Sequence, residues 1–173
     1  RVLVGLAEFA IPYFIISASQ QPDVPSNFVG VMVTIFLVAK MVGSFVLGRI
    51  GDRFGAIVIL RCACLSGAIA ALLAVFSTGY RMSYVMYAFL AVAVSGVLMS
   101  LNIACITYSG GKRTPIYAAT VGLLCAPLYI LAAFGGAAIV NAFSFQLTFI
   151  IAMLVYLASA ALTFILNPKP KER

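Results

Sequence analysis

Apolar residues fall in six long runs, at about 2–19, 28–48, 56–76, 84–107, 117–141 and 145–166, each near the roughly 20 residues that carry a helix across a bilayer. Between them lie short polar or turn-forming joints. Gln20 to Asn27 holds Pro22 and Pro25, Gly48 to Gly55 is rich in glycine and charge, and Tyr108 to Ile116 holds Gly110, Gly111 and Pro115. Ser77 to Ser83 and a short turn near Asn141 to Ser144 complete the set. No joint is long enough to hold a soluble module. The pattern predicts an all-α membrane protein, a single six-transmembrane-helix bundle over residues 1–173.

Composition sharpens this expectation. The chain is 64% hydrophobic and 9% charged, far more apolar than the roughly 45–50% of a soluble domain. Its first run does not end in a signal-peptide cleavage pattern and reads as a retained span. Arg1 enters that run with no initiating methionine, so the chain reads as a fragment of a longer protein.

Charge sets the expected orientation. Arg1, Arg49, Arg53, Arg61, Lys112, Arg113, Lys169, Lys171 and Arg173 fall at alternate ends of the runs, with Arg81 alone opposite. Short loops rich in Lys and Arg stay on the cytoplasmic side. Both termini are therefore expected to be cytoplasmic, in the plasma (inner) membrane. The net charge of +7 is ascribed to topology and anionic headgroups, with no nucleic acid as partner.

Chemistry for catalysis is missing. The chain has no His and four acids, with Asp23 and Glu172 at the predicted surface. No general-base set or activated nucleophile can be assembled, so the expectation is that it is not an enzyme. Cys62, Cys64, Cys105 and Cys125 lie within apolar runs and read as small packing residues. No metal and no cofactor are expected.

The joint between the second and third runs reads Gly48-Arg49-Ile50-Gly51-Asp52-Arg53-Phe54-Gly55. Gly48, Gly51 and Gly55 allow a tight reversal and close backbone approach, and Asp52 stands just ahead of a helix whose N-terminal amides favour an anion. The segment resembles the cytoplasmic signature of the major facilitator superfamily, both in its Gly, three residues, Asp-Arg, one residue, Gly spelling and in its place between the second and third helices of a six-helix half. The resemblance implies a conformational latch at Gly48, Gly51, Asp52, Arg53 and Gly55, acting across the interface with a second half. A basic pair usually follows the last glycine of the signature, but Ala56 and Ile57 stand there, so the resemblance implies either a weaker latch or Arg49 and Arg61 as substitutes. The resemblance also implies secondary active transport of a small molecule by alternating access. The second six-helix half would then be a missing segment or a second copy. The uncharged fourth run and the Asn167 to Arg173 ending favour the C-terminal half. The alternative is a non-transporting scaffold or receptor that has kept the same fold.

Two charges are placed within the runs. A charge near the bilayer centre costs at least about 2.5–3.5 kcal/mol, so it marks a function or a paired structural site. Glu8 and Lys40 both fall at a depth of about 10–12 Å by helical rise. They read either as a structural ion pair, with Lys40 also able to snorkel, or as a substrate anchor at Lys40 and a proton carrier at Glu8, coupling transport to protons. Phe9, Tyr13, Ser17 and Gln20 share one face of the first run, and Ser95, Met99 and Asn102 one face of the fourth. By the resemblance these two helices line the substrate path, which makes Tyr13, Ser17, Ser95 and Asn102 candidates beside Glu8 and Lys40. The same stripes read equally as interhelical packing. Pro12 and Pro127 are expected to bend their spans.

Overall fold

With no water in the hydrocarbon region, backbone amides must be satisfied within the chain, and long apolar runs do so as helices. The computed structural model describes residues 4–5, 10–21, 24–77, 79–109, 114–142 and 144–165. Its helices are α1 (Ile11–Ser19), α2 (Phe28–Phe54), α3 (Ala56–Val75), α4 (Tyr80–Ser109), α5 (Thr114–Ala142) and α6 (Phe145–Ile165). No strand occurs among the described residues. Helices α2 to α6 are each long and apolar enough to cross a membrane. Residues 4 and 5 are also helical, whereas residues 1–3 and 6–9 of the first predicted span lie outside the described residues.

Most of the serine and threonine hydroxyls in the spans bond back to their own helices, while Ser66 of α3 donates across to the Phe89 carbonyl of α4 at 2.7 Å. Thr34 donates to the Gly30 carbonyl, Ser100 to Val97 and Ser159 to Val155, at 2.9, 2.9 and 2.7 Å. Such back-bonding lets Ser and Thr occupy apolar helices without an orphaned polar group.

The core is built where α3 meets α4 and α6. Its central helix is alanine-rich, with Ala63, Ala68, Ala70, Ala71 and Ala74 all buried. Small side chains let helices approach closely in lipid, where packing rather than water exclusion drives association. Gly96 of α4 sits against Ala63 so tightly that a Cβ there would lie 2.7 Å from the alanine Cβ. Gly67 of α3 bears the ring of Tyr156 from α6, with a Cβ position 2.7 Å from Cε1.

Larger groups fill one end of the bundle. Phe14 of α1 stacks on Phe149 of α6 with centroids 4.6 Å apart. Phe28 of α2 packs against Tyr80 and Tyr84 of α4, and Phe36 against Tyr87, in tilted or edge-on pairs.

α5 is different. It has few contacts with its neighbours, exposes Leu123, Leu124, Leu131 and Phe134, and contains Pro127 within its length. Pro12, expected to bend the first span, is the second residue of α1, and residues 6–9, which precede that helix, lie outside the described residues. The outer face of α2 is likewise apolar and open at Leu37, Met41 and Phe45. So much exposed apolar surface is a liability in water and the normal condition of a protein in lipid.

Candidate functional site

The glycine-rich segment is helical almost to its end. Gly48 to Phe54 form the last two turns of α2, and Gly55 alone separates α2 from α3. Its backbone has φ +83°, a left-handed conformation that glycine adopts without the Cβ penalty of other residues. Its N–H closes α2 by donating to the Gly51 carbonyl at 2.8 Å. The expected eight-residue loop is thus a one-residue break. Arginines carry the helix beyond its apolar stretch because their stems stay on apolar surface while the guanidinium reaches polar groups.

This changes what the glycines do. Gly51 is a packing residue, buried where α2, α3 and α4 converge. A Cβ there would run into the Ile59 side chain and lie 3.2 Å from Ile103 Cδ1. Gly48 faces Met99 of α4, which a Cβ would meet at ordinary contact distance, 3.5 Å. Asp52, the only carboxylate among the described residues, is exposed in the last turn of α2. It precedes α3 by four residues, so the favourable N-terminal amides belong to the next helix, across the Gly55 break.

Arg49 and Arg53 are exposed beside Asp52, each over a neighbouring ring, at 5.2 Å from the Phe45 centroid and 5.3 Å from the Phe54 centroid. Arg61 is committed elsewhere. Its Nη2 donates to the Thr163 carbonyl at 2.7 Å and its guanidinium lies 4.3 Å from the Phe164 ring centroid, fastening α3 to the end of α6. Sequence reasoning treated Arg61 as part of the latch and missed this contact. The signal was present in the topology, because antiparallel third and sixth spans bring the start of one level with the end of the other.

The other predicted site residues are dispersed. Glu8 lies outside the described residues, so its pairing with Lys40 does too. Lys40 is half-buried on α2. Tyr13 donates its hydroxyl to the Ala133 carbonyl of α5 at a long 3.4 Å. Ser17 is half-buried and borders a cavity of about 110 Å³ at one end of the bundle, together with Gln21, Ser77, Ser83 and Gln146. Gln21 Nε2 donates to the Ser77 hydroxyl at 3.3 Å, and its buried Oε1 has no partner among the described residues.

On α4 the predicted stripe divides. Ser95 is buried against Gly43 of α2 and donates to its own helix at Val92, 2.9 Å away. Asn102 is exposed. Ser95 therefore serves the α2–α4 contact, while Asn102 remains open to whatever faces that end of α4. No cluster of three or more His, Cys, Asp or Glu that could hold a metal ion occurs among the described residues.

An all-helical bundle whose outer surface is apolar along at least five membrane-length helices is a multi-pass integral membrane protein. A family model described as the Major Facilitator Superfamily matches residues 1–173, and the chain belongs to that family of membrane transporters. No curated protein and no solved structure matches it. Its general role is membrane transport, as the glycine-rich Asp-Arg segment had suggested.

Proposed function

We propose that the chain is one six-helix half, the C-terminal one, of a secondary active transporter that moves a small molecule by alternating access. The observation that carries this reading is the family match over the whole length, joined to a Gly-Arg-Ile-Gly-Asp-Arg-Phe-Gly segment at the α2–α3 break. In such transporters two bundles rock about a site near the midplane. The open apolar faces of α2 and α5 suit contact with a second bundle, supplied by another segment or a second copy. The uncharged central part of α4 agrees with the C-terminal assignment. The scaffold or receptor reading is not favoured by a match to a transporter family.

Within this reading Asp52 and Arg53 form the latch, exposed where a second bundle can meet them, and Gly48, Gly51 and Gly55 hold α2, α3 and α4 in the register that presents them. Lys40 is the anchor for an anionic substrate group, with Tyr13, Ser17 and Asn102 as neutral contacts. Ser95 supports the site from behind by holding α4 against α2. Glu8 is the proton carrier. The Arg-rich end of the bundle faces the cytoplasm of the cell, across its plasma (inner) membrane.

Reciprocal accessibility in the full-length protein tests the cycle without knowledge of the substrate. Single cysteines at opposite ends of α1 and α4 should show opposed changes in labelling between two states, and Asp52→Asn should shift the balance toward one of them. Uniform labelling that Asp52→Asn leaves unchanged would count against both the cycle and the latch.

A further inference from the structure

Arg61 lies about 8 Å along α3 from its first residue at a helical rise of about 1.5 Å. A guanidinium carries five N–H donors. In Arg61 one of them meets Thr163, Nε is enclosed with no acceptor, and the plane rests on Phe164. No carboxylate among the described residues shares α3 or α6 with it. Its surroundings are apolar and outward-facing: Phe164 is 58% exposed, and Leu65, Ile69 and Leu72 follow Arg61 along α3 at i+4, i+8 and i+11 with 46, 41 and 43% exposure.

The dimensions match one class of ligand. From Arg61 to Leu72 the stripe is about 16 Å long at helical rise, close to half of a hydrocarbon core about 30 Å thick. A cation with unspent donors thus stands at the head of an apolar seam one leaflet deep, in a protein whose outer surface is in lipid. We propose that the α3–α6 seam is a binding site for an anionic phospholipid, with the phosphate taken by the free Nη donors of Arg61 and an acyl chain lying along Leu65, Ile69 and Leu72. Arg suits this role because its planar fork matches phosphate oxygens. The contact to Thr163 and the Phe164 ring hold that fork at the seam. A zwitterionic headgroup brings its own cation and is the weaker occupant. The proposal depends on membrane insertion and not on the transport cycle.

The full-length protein in nanodiscs of phosphatidylcholine, with and without phosphatidylglycerol, gives the test, with unfolding followed by a thiol-reactive dye. Phosphatidylglycerol should raise Tm in the unsubstituted protein. Arg61→Gln should abolish that increment, whereas Arg81→Gln, the same change in net charge at the other end of the bundle, should preserve it. Phe164→Leu leaves the Thr163 hydrogen bond in place and should reduce the increment, which keeps the test open if Arg61→Gln fails to fold. Two outcomes overturn the proposal: no increment in the unsubstituted protein, or an equal increment in Arg61→Gln, whether or not its Tm is lower in both lipids. Inorganic phosphate in phosphatidylcholine discs should give no shift, and a shift matching that of the lipid would assign the site to a free anion instead.

Discussion

At the scale of the residue, the glycines separate into groups that a sequence does not distinguish. Gly55 is needed for its backbone, Gly67 and Gly96 for the space they leave, and Gly122 for neither, since nothing lies within 4 Å of a Cβ there. Gly55→Ala is expected to cost about 1–3 kcal/mol, because at φ +83° and ψ 173° the backbone lies in a region that is essentially glycine-only. Gly122→Ala should instead stabilise by about 0.5–1 kcal/mol through helix propensity. Thermal unfolding midpoints in one detergent check the pair, and a fall in both would show that Gly122 has a contact of its own. Gly67→Val should lose about 1–3 kcal/mol by overpacking, and adding Tyr156→Leu should recover part of it. The sequence offered Gly51 both as part of a tight reversal and as a point of close backbone approach, and the structure uses the second. Its packing role depends on Ile59 and Ile103, residues 8 and 52 positions further along the chain.

At the scale of the element, most helices were legible in the hydropathy pattern. Runs beginning near 28, 56 and 145 coincide with the starts of α2, α3 and α6. Hydrophobicity reports where lipid begins and ends, however, and a helix need not stop there. The second run ends near residue 48, whereas α2 continues to Phe54, because intrahelical bonds satisfy the backbone in either solvent and only Gly55 interrupts them. Likewise α4 begins at Tyr80, ahead of the apolar run, under the cluster of Tyr80, Tyr84 and Phe28. The hydropathy of α5 resembles that of α3, yet α5 touches its neighbours far less. Backbone amides of α5 are therefore expected to exchange with deuterium well before those of α3, with the earliest exchange near Pro127, where one helical bond is missing. Equal protection of the two helices in the full-length protein would mean that another surface covers α5.

At the scale of the whole molecule, the distribution of cations predicts a topology. Cysteines replacing Asp52 and Lys112 should react with an impermeant maleimide from the same side of the membrane, and one replacing Arg81 from the other. Labelling of the first two from opposite sides would overturn the orientation and with it the placing of the latch. With Lys40 as the anchor of an anionic group, Lys40→Met should lower transport about tenfold or more; unchanged uptake into proteoliposomes would mean that the side chain only snorkels. The sequence by itself determined that this protein lives in lipid, how many apolar runs it has, and which short segment marks its family, since all three depend on local composition and spacing. Only the tertiary structure decided that Gly51 packs, that Ser95 faces α2, that Arg61 is tied to α6, and that α5 stays at the edge of the bundle. Those are contacts between residues distant in the chain, and in lipid, where every outward face is as apolar as the core, hydrophobic patterning cannot tell which side of a helix meets another.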